Sequence, residues 1–183
     1  MDNGASSYRR FLSGDNDAFV ELVREFSDGL TLFINTILND MHVSEEAADD
    51  VFIKLYAHKP SFRDGCSFKI SLYTIGRNTA LNYLKKIRRR QYSPLEDISY
   101  FSDETDIEAE YLSDERNRAL HQCIKALNPD HAQVLFLIFF EELSNKEAAR
   151  VMGKSSRQVT QLLYRAKNAL REEMARRGIN GQI

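Results

Sequence analysis

Apolar residues recur every three or four positions along nearly the whole chain, and this spacing narrows its possible folds more than any other feature. It is the period of an α-helix that buries one face. Only eight glycines and three prolines occur among the 183 residues, so few positions interrupt the pattern. The sequence therefore predicts an all-α protein, and 43% hydrophobic residues suffice for a globular core.

The first long apolar stripe runs from Phe19 to Met41. Asp28 and Gly29 lie within it and predict a break or bend in the helix. Ser44 is expected to cap the next helix, whose first turn is acidic as the helix dipole favours, and Pro60 is expected to end it. Helical phase assigns these residues to its core face: Ala47, Ala48, Val51, Phe52, Leu55 and Tyr56.

The opposite face of that helix combines three carboxylates with one isoleucine: Glu46, Asp49, Asp50 and Ile53. An exposed isoleucine among acids has two interpretations. Single apolar side chains are common on protein surfaces and often have no function. Alternatively, Ile53 is the centre of a patch that binds a partner protein, and helical phase leaves both interpretations open.

A further helix is predicted from Ser67 to Arg90, with one apolar face and a basic end, KKIRRR. Its polar face carries Ser71, Asn78, Asn82, Lys85 and Arg89. Cations that hold phosphate beside amides that contact bases suit a nucleic-acid surface, although a solvated basic face is the alternative. Phe62 and Phe68 flank the preceding loop and either stack on unpaired bases or belong to the core.

Two capping boxes lie close together near the C-terminus. Ser144 precedes Glu147 by three residues, and Ser155 precedes Gln158 by the same spacing. Gly153 lies between them and can adopt the left-handed conformation that ends a helix. The sequence therefore predicts a helix over residues 145–152, a tight turn, and a second helix that begins after Ser155.

The outer face of this second helix is polar and basic. It carries no carboxylate, and its residues are Arg157, Thr160, Gln161, Tyr164, Lys167 and Asn168. These side chains donate to phosphates and to base edges, so the pair of helices is typical of a DNA-binding helix-turn-helix. An ordinary helical hairpin with a solvated face is the alternative.

Charge divides the chain into three parts. Residues 1–90 carry thirteen Lys and Arg against twelve Asp and Glu, and residues 113–183 carry twelve against eight. Residues 91–112 carry seven acids and no base, which predicts an acidic linker between two modestly basic helical domains.

The sequence does not have the patterns of an enzyme, a metal-binding protein or a membrane protein. It has no glycine-rich phosphate loop, no nucleophile elbow and no catalytic cluster, so we expect no enzyme activity and no cofactor. Cys66 and Cys123 match no metal spacing and are interpreted as reduced thiols, so we expect no metal. The absence of a signal-peptide pattern and of a long apolar run predicts a cytoplasmic protein without membrane insertion.

Three segments in series resemble the extracytoplasmic-function group of the sigma-70 family, the promoter-specificity subunits of bacterial RNA polymerase. They are SEEAADDVFIKLY (44–56), SFKISLYTIGRNTALNYLKKIRRR (67–90) and LNPDHAQVLFLIFFEELSNKEAARVMGKSSRQVTQLLYRAKNALRE (127–172). The resemblance implies a region-two domain over 1–90 and a region-four domain over 113–183. It implies core RNA polymerase and promoter DNA as partners, and leaves an anti-sigma factor open.

The resemblance also implies roles for the residues named above. The face with Glu46, Asp49, Asp50 and Ile53 corresponds to the polymerase-binding surface. The minus-ten element of the promoter is expected at Phe62, Phe68, Ser71, Asn78, Asn82, Lys85 and Arg89. The minus-thirty-five element is expected at Ser155, Arg157, Thr160, Gln161, Tyr164 and Lys167. The alternative is a stand-alone helix-turn-helix regulator with a helical interaction domain, or else a helical scaffold without DNA affinity.

Overall fold

A computed structural model describes residues 4–62, 67–91 and 115–179. These ranges contain helices and no strand, which confirms the all-α prediction. In chain order the helices are α1 (Ala5–Leu12), α2 (Asn16–Leu38), α3 (Met41–His58), α4 (Phe68–Gln91), α5 (Glu115–Lys125), α6 (Pro129–Phe139), α7 (Asn145–Met152) and α8 (Ser156–Arg176). Cys66 and residues 92–112 of the predicted linker lie outside the described residues.

The first four helices pack around α2. This helix buries Leu22, Phe26 and Leu30 along one side, and α1, α3 and α4 all contact it. Large aromatic residues fill the end of the bundle where α1 crosses, with Phe11 fully buried and Tyr8 nearly so. Burial of such side chains stabilises the fold by roughly 1.5–3 kcal/mol each.

Of the break or bend predicted at Asp28 and Gly29, the break is wrong, because α2 runs without interruption for 23 residues. Gly29 serves a different purpose. A Cβ atom at this position would lie 2.7 Å from both the Tyr73 hydroxyl and a Glu141 carboxylate oxygen. The glycine therefore makes room for one side chain from α4 and one from the segment that follows α6, at a modest cost in helix propensity.

Helix α3 begins earlier than its sequence pattern indicated. Asp40 is its N-cap, and the Asp40 carboxylate accepts a hydrogen bond of 3.0 Å from the Val43 amide. Ser44 is buried inside the helix, where its hydroxyl donates to the Asp40 carbonyl at 2.6 Å. Tyr56 was assigned to the core face, but it is 48% exposed and contacts the rings of Phe11 and Phe19 at the edge of the core.

The last four helices form a second bundle around α6. Asn128 caps α6, Pro129 occupies its first turn, and Leu135, Phe136 and Leu137 are almost completely buried. The predicted bounds of α7 and the start of α8 are confirmed. Gly153 joins the two helices at φ 63°, the left-handed conformation that glycine adopts without steric cost.

The two bundles pack directly against each other. Helix α6 lies against α2, where the ring centroids of Phe33 and Phe136 are 6.0 Å apart. Helix α7 lies along α4. The buried apolar residues of both bundles belong to one continuous hydrophobic core. We call this packing of one bundle against the other the closed arrangement.

Candidate nucleic-acid and polymerase interfaces

The turn between α7 and α8 is fixed by hydrogen bonds at both caps. The Ser144 amide and hydroxyl donate to a Glu147 carboxylate oxygen at 2.8 and 2.6 Å. These bonds lower the pKa of Glu147, the side-chain bond contributing more than the backbone bond. At the second cap, the Ser155 amide donates to Gln158 Oε1 at 2.8 Å, and the Gln158 amide donates to Ser155 Oγ at 3.2 Å.

The polar face of α8 is open to solvent. Arg157, Gln161 and Tyr164 are exposed, and Tyr164 reaches 69% exposure. Thr160 is also exposed, but its hydroxyl accepts from Asn145 Nδ2 at 3.1 Å and so links α8 to α7. Lys167 is half-buried, with its Nζ 5.3 Å from the centre of the Phe139 ring. The structure therefore groups the predicted residues of the second helix on one surface.

The polar face of α4 is open along its C-terminal half. Asn78, Asn82, Lys85 and Arg89 are exposed, whereas Ser71 is half-buried and its hydroxyl donates to the Ser67 carbonyl at 3.3 Å. A groove separates this half of α4 from α3. Its lining is mainly basic and polar: Asp50, Lys54, Thr79, Asn82, Tyr83, Lys85, Lys86 and Arg89.

The acidic face of α3 is divided by the fold. Ile53 is 64% exposed, and Glu46 and Asp49 are exposed on the same side of the helix. Asp50 instead lies in the groove beside α4, where it accepts a hydrogen bond of 3.0 Å from the Tyr83 hydroxyl. Burial, together with this bond to Asp50, raises the pKa of Tyr83 to about 12.

Phe62 and Phe68 occupy different environments. Phe68 is only 3% exposed and packs between the rings of Tyr8, Phe26 and Phe62. Of the two interpretations, core packing is the one that the structure shows for Phe68, because no face of its ring is open to a base. Phe62 is half-buried and retains exposed surface.

A buried ion pair joins the two bundles, and it was not predicted from the sequence. Lys69 Nζ lies 2.8 Å from a Glu141 carboxylate oxygen and donates to the Glu141 carbonyl at 2.9 Å. Both side chains are largely buried, and the Tyr73 hydroxyl lies beside the same carboxylate. Burial, with Glu141 as a second cause, raises the pKa of Tyr73 well above its usual value. We call Lys69, Tyr73, Glu141 and Gly29 the interbundle clasp.

A second polar contact between the bundles joins α4 to α6. Arg77 Nε on α4 donates to Gln133 Oε1 on α6 at 2.8 Å. The Gln133 side-chain amide donates in turn to the Pro129 carbonyl at 3.0 Å. Glu142, next to the clasp, has a positive φ of 54°, a conformation that costs a non-glycine residue energy and that the surrounding contacts maintain.

Comparison with known proteins matches each bundle to a region of one protein family. The family model described as Sigma-70 region 2 matches residues 22–90, and Sigma-70, region 4 matches residues 117–170. The chain is 32% identical over 170 residues to the RNA polymerase sigma-H factor of Pseudomonas aeruginosa, a match that covers 88% of each chain. This chain belongs to the sigma-70 family.

Two further relatives extend the comparison. The RNA polymerase sigma factor YlaC of Bacillus subtilis is 27% identical, over 87% of this chain and 94% of the relative. The sigma factor RpoE of Bartonella quintana, solved in complex with the anti-sigma factor NepR, has a similar fold with a TM-score of 0.66. That similarity covers 86% of this chain and 96% of the other, at 21% identity. The chain is a sigma factor of the extracytoplasmic-function group, a transcription initiation factor and not an enzyme.

The region-two match leaves out the first helix of the bundle. Helix α1 and the start of α2 precede the region-two match, although Tyr8 and Phe11 of α1 are part of the same core.

Within the described ranges, no helix is long and apolar enough to cross a membrane. The same ranges bring together no group of three or more potential metal ligands from His, Cys, Asp and Glu side chains.

Proposed function

We propose that this sigma factor divides promoter recognition and polymerase binding among three exposed surfaces. The α8 face binds the minus-thirty-five element, the C-terminal half of α4 with Phe62 binds the minus-ten element, and the outer face of α3 binds core RNA polymerase. The observation that carries this assignment is the exposure of two polar faces without carboxylates, one in each bundle, on α4 and α8.

The α8 surface has the chemistry for major-groove contact. Arg157 and Gln161 lie one turn apart on an exposed helix face, where each is free to bind a base edge. The capping serines and the exposed amides of the first turn are suited to backbone phosphate. Ser155, Thr160, Tyr164 and Lys167 are assigned to positioning on the DNA backbone.

The α4 surface suits a melted strand. Lys85 and Arg89 supply positive charge, while Asn78 and Asn82 supply amides one turn apart along the same helix. Phe62 presents part of its ring at the opposite end of α4 and supplies a stacking surface for an unpaired base. Ser71 is also assigned to the minus-ten surface, although it is half-buried. Phe68 is buried and contributes by packing against the Phe62 ring.

The polymerase surface centres on Ile53. Its side chain is exposed one turn after Asp49 and two turns after Glu46, so an apolar contact would have negative charge on one side. Such a patch suits a partner surface that is apolar at its centre and basic at its rim. Asp50 is assigned to orienting Tyr83 and the groove, since it faces α4.

The wider organisation follows from the same proposal. Region two spans residues 1–90, an acidic linker spans 91–112, and region four spans 113–183. We assign the protein to the cytoplasm, where transcription takes place. An anti-sigma factor is included as a partner because RpoE of Bartonella quintana was solved with one.

Reconstituted transcription tests the proposal. Core polymerase is assayed with and without this protein on a library of genomic promoter fragments, and transcript ends are sequenced. We expect start sites that appear only when both proteins are present. Tight, sequence-specific binding of promoter DNA by the free protein, without new transcripts from core polymerase, would instead support a stand-alone regulator.

A further inference from the structure

Tyr8 on α1 contacts both sides of the segment that separates α3 from α4. Its hydroxyl donates a hydrogen bond of 2.6 Å to the Pro60 carbonyl, 52 residues away in sequence. Its ring centroid lies 4.9 Å from that of Phe62 and 4.9 Å from that of Phe68. One side chain therefore reaches the last residues after α3 and the first residue of α4.

Close packing of α1 against the core fixes the position of Tyr8. Gly4, which caps α1, approaches the core so closely that a Cβ atom there would lie 2.7 Å from both Phe26 and Phe68. Tyr8 itself is only 4% exposed. Burial raises the pKa of Tyr8 to about 12, so its hydroxyl stays protonated and remains a donor to Pro60.

Phe62 depends on this arrangement for its position. Its ring is tilted by 36° to the Tyr8 ring and packs edge-on against Phe68, so two of its neighbours are fixed and the remainder of its surface is open. Phe62 lies in no described helix, and it is two residues after Pro60, whose carbonyl Tyr8 binds. Without Tyr8, the Phe62 ring would lose both its packing partner and this anchor.

We propose that Tyr8 is a positioning residue for minus-ten recognition, which holds Phe62 so that its open ring surface stacks on the unpaired promoter base. The inference rests on the proposed function of Phe62 and adds to it a role for α1, which lies outside the region-two match. Tyr8 touches no DNA in this arrangement. It acts by restricting Phe62 before the base arrives, which reduces the entropy lost on binding.

The obvious alternative is that Tyr8 only stabilises the core. A core role and a positioning role differ in one measurable respect. A loss of general stability weakens open complexes equally on every template, whereas a positioning defect depends on the presence of the base that Phe62 binds. A double-mutant cycle between protein and DNA separates the two.

The test uses full-length protein with core polymerase and measures open-complex lifetime. Templates carry an abasic site at each minus-ten position of the non-template strand in turn, beside an intact template. Tyr8→Phe keeps the ring and removes the hydrogen bond to Pro60. Phe52→Leu is the matched control, because Phe52 is a buried aromatic of the same bundle whose ring packs edge-on against Phe19.

We expect Tyr8→Phe to shorten the open-complex lifetime about threefold to tenfold on the intact template, the range for loss of one hydrogen bond. We expect no further shortening on the template that lacks the captured base, and a template-independent effect for Phe52→Leu. An equal loss for Tyr8→Phe on every template, or no loss on any, would overturn the inference. Wild-type protein that is insensitive to every abasic site would show that the proposed role of Phe62 itself is wrong.

Discussion

At the scale of single residues, the exposed isoleucine of α3 raises the most direct question about function. Ile53 leaves 64% of its surface in water although the bundle offers apolar surface nearby. Substitutions at a site this exposed change stability little, usually within about 0.5 kcal/mol. An effect on polymerase binding is therefore separable from an effect on folding.

We predict that Ile53→Glu weakens binding to core polymerase by tenfold or more, because the centre of an interface tolerates an unpaired charge poorly, at roughly 2 kcal/mol or above. The thermal midpoint should change by only a few degrees. Val20→Glu is the matched control, since Val20 is 45% exposed on α2. Unchanged polymerase affinity for Ile53→Glu, measured by fluorescence anisotropy, would remove Ile53 from the interface.

At the scale of secondary-structure elements, the two capping boxes determine how α7 presents α8. Each serine cap contributes about 1 kcal/mol to helix stability. Glu147 also makes the first box sensitive to pH, because its carboxylate is held ionised by Ser144. Its pKa is lower in the folded protein than its usual value of 4.5.

The sign of this pH dependence follows from the direction of the shift. Ionised Glu147 stabilises the fold above the unfolded-state pKa, and the contribution is lost as pH falls through the lower folded-state pKa. We predict that Glu147→Gln, which can still form the box, loses less stability than wild type between about pH 5 and pH 3. Urea unfolding of both proteins at each pH measures the difference, and parallel pH profiles would contradict the prediction.

A further prediction concerns the exposed polar face of α8. A bidentate arginine contact discriminates against a wrong base by roughly 1–3 kcal/mol. Arg157→Ala should therefore relax preference at one or two minus-thirty-five positions without altering minus-ten choice. Arg171→Ala is the control, since it removes the same charge about 21 Å further along α8. A uniform loss across all promoter sequences for Arg157→Ala would identify a phosphate contact instead.

The same elements show what the sequence predicts and what it does not. Both capping boxes and the Gly153 turn depend on residues within a few positions of one another, and the structure confirms them. The sequence misplaces the roles of Gly29 and Ser44 because they depend on partners that local pattern does not reveal: Tyr73 and Glu141 from distant parts of the chain for Gly29, and an earlier cap at Asp40 for Ser44. Phe68 was ambiguous for the same reason, since α1 covers it from far along the chain.

At the scale of the whole molecule, the closed arrangement is too small for its promoter. A compact chain of this length has a radius of gyration of about 16 Å and so a diameter of about 40 Å. Elements named minus-ten and minus-thirty-five are separated by roughly 25 base pairs, or about 85 Å of duplex. With the minus-ten and minus-thirty-five surfaces assigned as proposed above, the two bundles must separate before both elements are bound, and the interbundle clasp opposes that separation.

We predict that core polymerase opens the clasp. Donor and acceptor dyes at Val20→Cys and Arg171→Cys, in a variant without the native cysteines, should show high energy transfer in the free protein and low transfer with polymerase. Glu141→Ala removes the carboxylate that pairs with the buried Lys69 ammonium and leaves it only the Glu141 backbone carbonyl, so it should increase the open fraction on the order of tenfold. Glu142→Ala, next to it and exposed, is the control.

Two results would contradict this prediction. Low energy transfer in the free wild-type protein would mean that the bundles do not pack together in solution. Equal transfer for wild type and Glu141→Ala would mean that the ion pair does not maintain the packing.

The clasp joins two parts of one chain, so dilution does not weaken it. Two separate proteins with the same contact would dissociate at low copy number, whereas here the local concentration of one bundle near the other is constant. The fraction of molecules ready for promoter DNA is then the same whether a cell holds ten copies or a thousand. A larger supply of this sigma factor would then raise the number of open molecules in proportion, while the open fraction itself would change only when a binding partner such as core polymerase favours the open state.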